Sequence, residues 1–302
     1  MSVLRRPGAP ASLALLCLAL SGGALTGRVI RAAPDGMVPV RAVSSGHAAP
    51  AVAGHALPAR VMPGEDAAAL DAGGLVDACG SPNPFLVASR VFDDVHGSTL
   101  GDQPVLFAFR DTPDDLPTEQ IPLATYAQAG TIYGLAFDAA REQLYAAAYV
   151  KRGSLFPPGG PGAIARVDLA TGVVSRWATL PAGSSDIHHL STDDDSASAA
   201  WVGRAGLGDI DLDVAGSQLV AANLFDGWIY RLAVPDGTVL GSFEHGGAHQ
   251  TWGGAARPFG LSVQVDRLYH GVVEPIGASP GITVPIGHIY RSDLDGSGLT
   301  EV

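Results

Sequence analysis

One five-residue pattern constrains this chain more than any other feature. Gly162-Ala163-Ile164-Ala165-Arg166 recurs as Gly227-Trp228-Ile229-Tyr230-Arg231 and again as Gly287-His288-Ile289-Tyr290-Arg291, at a spacing of roughly 60 residues. A fainter copy, Leu106-Phe107-Ala108-Phe109-Arg110, precedes them. Each firm copy runs into a tight turn, at residues 168–172, 234–237 and 293–296, ending in Thr-Gly or Asp-Gly. Such pairs supply the positive φ that a short hairpin needs.

A second element recurs upstream of each copy. Residues 134–138 lead through a polar turn to 143–147, 209–213 lead to 218–222, and 260–263 lead to 267–270. Each pair reads as strand, turn, strand. The Ile-x-Arg strand is the third of the unit, and the segments 173–179 and 238–243 supply the fourth. One four-stranded sheet cannot bury both of its faces alone, whereas sheets stacked side by side around an axis cover one another. The expected fold is therefore all-β, a β-propeller built of four-stranded antiparallel blades. Three units are recognisable and a partial one precedes Thr131, while closed propellers typically have four to eight blades. The ring is expected to be incomplete, and the chain reads as an open array or as the N-terminal part of a longer surface protein.

Composition agrees with this architecture. Charged residues make up 16%, and 39 Gly and 22 Pro favour turns over long helices. The net charge of −12, with no basic cluster, repels phosphate backbones and excludes nucleic acid as an expected partner.

Residues 1–24 read as a signal peptide: basic Arg5-Arg6, an apolar run over 11–20, then small Ser21-Gly22-Gly23-Ala24. The run is too short to cross about 30 Å of hydrocarbon as a helix, and no later stretch is long and apolar enough to do so. Cys17 lies between leucines, where lipid attachment would need a small neighbour, so it belongs to the signal and is no anchor. Export predicts a secreted, periplasmic or cell-surface location and leaves Cys79 as the one cysteine of the mature chain. Residues 25–80, rich in Ala, Gly, Pro and Val without a sustained period, read as a low-complexity, disordered spacer with a short helix near 64–77. Blades occupy 81–302.

The stretches IYGLAFDAAREQLYAAAYVKR, PGGPGAIARVDLATG, DDDSASAAWVGRAGLGDIDLD and RPFGLSV, between about residues 130 and 295, resemble a group of bacterial exported proteins. These carry a propeller-like region ahead of repeated surface modules, some of the SD-repeat or collagen-adhesin-B type. The resemblance implies an extracellular or surface setting, a propeller fold and no established reaction. This chain departs from the pattern by carrying no surface repeats after its blades.

Chemistry-bearing residues are sparse. Asp209, Asp211 and Asp213 alternate, so period 2 sets them on one face about 6.6–7 Å apart. On an innermost strand, Asp209 and Asp211 would lie at the channel mouth, where hard oxygen donors suit Ca²⁺ or Mg²⁺. With Asp138 they form the carboxylate set that a metal-dependent, lactonase-type hydrolase would require. Asp186, His188, His189 and Asp193 to Asp195 share one loop but match no established zinc spacing. Residues 293–298 (Asp-Leu-Asp-Gly-Ser-Gly) open like a calcium loop and read as a hairpin turn. The Gly-Gly-Pro-Gly at 159–162 lacks the Lys-Ser/Thr of a phosphate loop. Trp177, Trp201, Trp228 and Trp252 are assigned to packing. Two insertions, 151–162 and 184–206, interrupt the period, and loops of that length are where function usually lies. The expectation is an exported binding or scaffold module with a protein or surface ligand. The hydrolase is the alternative.

Overall fold

A computed structural model describes residues 16–21 and 24–29 as backbone strands, together with residues 85–92, 101–110, 120–188, 195–277 and 279–302. The spacer helix near 64–77, Cys79, His189, Asp193 and Asp194 lie outside the described residues. The strands β1 (Leu16–Ser21) and β2 (Ala24–Val29) pair antiparallel across the boundary expected between signal and spacer.

Four sheets follow in chain order. The first blade holds β3 (Phe85–Ser89), β4 (Pro104–Arg110) and β5 (Ile121–Thr125), and the short helix α1 (Tyr126–Ala129) leads out of it. The second holds β6 (Ile132–Asp138), β7 (Gln143–Ala148), β8 (Ala163–Asp168) and β9 (Val174–Thr179). The third holds β10 (Leu207–Leu212), β11 (Gln218–Asn223), β12 (Trp228–Ala233) and β13 (Val239–Glu244). The fourth holds β14 (Pro258–Gln264), β15 (Arg267–Glu274), β16 (Ile286–Asp293) and the two-residue β17 (Thr300–Glu301). Within each sheet, spatial order equals chain order and every pairing is antiparallel. The repeat therefore marks real blades, and the described sheets do not close into a ring.

Register makes the blades comparable residue by residue. Ala147 pairs with Ile164, Ala222 with Ile229 and Gly271 with Ile289, so the three isoleucines of the repeat hold one structural position. Ile164 packs among Leu207, Ile210 and Leu219 of the next blade, and Ile229 among Leu261, Val263 and Leu268 of the blade after that. Both are 0% exposed, whereas Ile289, on the last blade, is 54% exposed. The motif isoleucine is the bolt that joins one blade to its successor, with a burial gain of about 1.5–3 kcal/mol.

The first strands of blades two to four, β6, β10 and β14, lie side by side as the innermost layer. Each carries an irregularity at the same place, between Ile132 and Leu135, Leu207 and Ile210, and Pro258 and Leu261. The backbones meet there. A Cβ on Gly134 would lie 2.6 Å from the Gly208 carbonyl oxygen, and one on Gly208 would lie 2.6 Å from that of Phe259. Around this contact Tyr133 and Phe259 meet edge to face at 4.6 Å, with Tyr149 5.9 Å from Phe259. Burial and the neighbouring Tyr133 push the Tyr149 hydroxyl up to about 12.

Candidate functional site: the loop-bearing face

Strand polarity distributes the connections between two faces. In blades two to four, one face carries only short turns, at 139–142, 169–173, 213–217, 234–238, 265–266 and 294–299. The opposite face carries 149–162, 180–206, 224–227, 245–257 and 275–285. Both insertions recognised in the sequence therefore emerge on the same side.

These insertions are locked together by a buried pair. His188 Nδ1 lies 2.7 Å from Asp195 Oδ2, and the same oxygen accepts the Gly153 N–H at 2.9 Å. The His188 ring lies 4.7 Å from that of Phe156, also in the first insertion. Asp195 adopts a left-handed conformation, φ 41° and ψ 40°, uncommon for a residue with a side chain. Its carbonyl is held by the Ser198 N–H and hydroxyl at 3.2 and 3.0 Å. The side chains of His188 and Asp195 are 4% and 0% exposed, and His188 Nε2 has no hydrogen-bond partner among the described residues. Sequence spacing grouped His188 with Asp186 and the aspartates. The structure selects Asp195 and leaves Asp186 in a single 3-10 turn over Ser185–Ile187 capped by Ser184. On this face Trp201, Phe225 and Trp228 are exposed. Trp177 and Trp252 pack as expected, Trp177 against Tyr145 at 4.8 Å and Trp252 against His288.

The expected metal ligands Asp209 and Asp211 are on an innermost strand, but their oxygens clasp the neighbouring blade. Asp211 Oδ2 accepts the Val263 N–H at 2.8 Å and the Ser262 hydroxyl at 3.3 Å, while Oδ1 accepts the Leu212 N–H at 2.8 Å. Asp209 Oδ2 accepts the Leu261 N–H at 3.4 Å. Burial raises the Asp211 pKa, and these donors oppose that shift. Asp213 does not extend the row: β10 ends at Leu212, and Asp213 caps the following turn through the Ser217 and Gln218 N–H groups at 2.6 and 3.0 Å. Asp138 is likewise engaged, by Arg141 at 2.6 Å, and Arg141 in turn donates to the Gly216 carbonyl of the next blade at 2.9 Å. Among the described residues, no three His, Cys, Asp or Glu side chains converge as a metal-binding group. Asp293 sits in a hairpin turn, accepting the Ser297 hydroxyl at 3.1 Å and pairing with Arg267.

A further polar cluster escaped the sequence reading. The linker 245–257 folds over β15 and β16, with Trp252 and Ala256 packed on Val272 and Tyr290. His270 Nε2 accepts the Gly246 N–H at 3.0 Å, and His245 Nδ1 accepts the Gly247 N–H at 3.1 Å. Gly246 lies so close to the Tyr290 ring, and Gly247 to the Trp252 ring, that a Cβ at either would collide. Burial, reinforced by His245, pushes the His270 pKa down to about 4, and burial also lowers that of His245. His288 stacks on Trp252 at 4.6 Å, with Nδ1 2.7 Å from Glu301 Oε1 and Nε2 3.5 Å from Glu274 Oε2. The signal was present in the repeat: the variable second position of the motif is Ala163, Trp228 and then His288.

The chain matches no known protein family. Over 88 residues it is 39% identical to colossin-A of Dictyostelium discoideum, a stretch that is 29% of this chain and 1% of colossin-A. Among solved structures it aligns with a nidogen/laminin complex at 16% identity and TM-score 0.38, covering 67% of this chain and 58% of that one. The Pan2 WD40 domain of Neurospora crassa aligns at 12% identity and TM-score 0.35, covering 65% and 46%. A luciferin-regenerating enzyme aligns at 14% and 0.35, covering 65% and 54%. The chain spans less than two thirds of each of these proteins. At such scores the blade architecture rests on the chain's own sheets and their register.

Proposed function

We propose that this chain is an exported, non-enzymatic binding module of the bacterial cell surface or extracellular space. The supporting observation is the asymmetry of its faces. Every long connection of blades two to four leaves one side, and the two insertions are fixed to each other by the Gly153–Asp195–His188 contact. Preorganised loops lose less entropy on binding than free ones. Exposed Trp201 and Phe225 add apolar contact area of the kind interfaces use. The resemblance to propeller-bearing proteins of the SD-repeat or collagen-adhesin-B type supports the surface setting and a place near the N-terminus of a longer protein.

The test is binding of labelled full-length chain to arrays of extracellular-matrix proteins and surface glycans. The reading expects a ligand whose binding falls at least tenfold with Trp201→Ser or Phe225→Ser and is unchanged by Val214→Ser on the turn face. No ligand on either array, or lactone hydrolysis that needs a divalent cation and is lost in Asp209→Asn, sinks it.

A further inference from the structure

The repeat lets each blade serve as a control for its neighbours. At the pairing Ala146 with Ala165 in blade two, and Ala221 with Tyr230 in blade three, blade four has His270 with Tyr290. Where those blades pair Leu144 with Val167 and Leu219 with Leu232, blade four pairs Leu268 with Ser292. Packing positions have thus become polar without becoming exposed. His270 Nδ1, Glu274 Oε1, His288 Nε2, Tyr290 Oη and Ser292 Oγ are all buried without a hydrogen-bond partner among the described residues. Blades two and three carry one such atom each, the Nε of Arg166 and of Arg231. A local concentration of unsatisfied polar atoms requires an explanation, and bound water or a bound ion is a standard one.

The geometry of His288 specifies the ion. Its Nδ1 is 2.7 Å from Glu301 Oε1 and its Nε2 is 3.5 Å from Glu274 Oε2, so the ring stands between two carboxylates. A ring that donates Nδ1–H to Glu301 would set its Nε2 lone pair beside a carboxylate that is 6% exposed, an arrangement that a cation held between them relieves. We propose that a divalent transition-metal ion binds between His288 Nε2 and the Glu274 carboxylate. With metal–donor bonds of about 2.1 Å, two donors at this separation subtend about 110°, close to the tetrahedral angle. Imidazole with carboxylate suits Zn²⁺, Cu²⁺ or Ni²⁺ rather than Ca²⁺. Glu301 is the carboxylate that fixes the ring and its tautomer, as commonly found behind metal-bound histidine. Two side chains of this chain fill only part of the coordination sphere. The remaining positions take water or a donor from a bound partner on the loop-bearing face, where Glu274 opens the connection 275–285.

The competing account is a proton: an imidazolium bridging Glu274 and Glu301. Calorimetric titration of untagged, chelator-stripped full-length protein with Zn²⁺ decides between them. One site is expected, weakened at least tenfold in His288→Gln and in Glu274→Gln. Glu301→Gln, at an exposed position, is expected to weaken it about 10–100-fold while leaving the unfolding midpoint of the chelated protein unchanged. Cu²⁺ should quench Trp252 fluorescence through the stacked His288 ring, and Trp252→Phe should remove that component. Absence of zinc uptake, uptake undiminished in His288→Gln, or a doubly protonated His288 seen by NMR at neutral pH with zinc added would each overturn the proposal.

Discussion

His270 shows how much one residue's surroundings can alter its chemistry. Its imidazole is buried, accepts a backbone N–H from Gly246 and faces His245, and its pKa falls to about 4. An unperturbed histidine titrates near about 6.5. The folded state thus binds the proton less readily than the unfolded state, and protonation favours unfolding. The contribution of neutral His270 is complete above pH 6.5 and is lost as the pH falls from 6.5 towards 4. Its size is up to about 3 kcal/mol. Thermal unfolding followed between pH 7 and 4 should therefore show a falling midpoint. His270→Ala, which installs the residue found at this position in blades two and three, should flatten that dependence. An equally steep profile in the variant would refute the assignment.

At the scale of the element, the unit of stability is the joint between blades. Ile164 and Ile229 are buried in the blade that follows, and Asp211 and Asp209 add hydrogen bonds from β10 to the backbone of β14. Carboxylates that look like cation ligands in one dimension supply acceptors for amides of the next inner strand, so their desolvation is offset by hydrogen bonds. The repeat gives a matched comparison. Ile229→Ala should lower unfolding free energy by about 2–5 kcal/mol, through lost burial and the cavity left behind. Ile289→Ala, at the same motif position but 54% exposed, should change it by less than about 0.5 kcal/mol. Urea unfolding of both variants checks this, and equal losses would mean that Ile289 has a partner in solution.

Across the described sheets, blade four has no further blade packed on its outer face. Val273 and Ile289 are exposed on the open side of blade four, the side that covers a successor in the earlier blades. Open apolar sheet faces favour association. Ile289→Lys should therefore reduce concentration-dependent light scattering without lowering the unfolding midpoint, whereas scattering identical to wild type would place self-association elsewhere. The same stacking explains the division of labour between the faces. Strand direction alternates within each blade, so the connections from second to third strand and from blade to blade must leave on one side. Length added to either kind enlarges a single surface.

The blades were legible from sequence because a four-stranded repeat writes its period into the chain. The pattern Gly-x-Ile-x-Arg, the alternating strands and the Thr-Gly and Asp-Gly turns are local, and local geometry dictates them. Gly172 and Gly237 adopt the positive φ those turns require, 69° and 74°. Partners across the fold were not legible in this way. The sequence placed Asp209, Asp211 and Asp213 in one row, but the end of β10 sent Asp213 to cap a turn, and the approach of β14 gave the other two to backbone amides. It grouped His188 with a run of aspartates, and only the meeting of two insertions distant in sequence selected Asp195 and Gly153. It read His288 as one letter of a repeat, and only the folding of 245–257 over β15 and β16 placed it between Glu274, Glu301 and Trp252. Periodicity fixes which way a side chain faces; what it meets there depends on chain segments whose separation along the sequence carries no information about their distance in space.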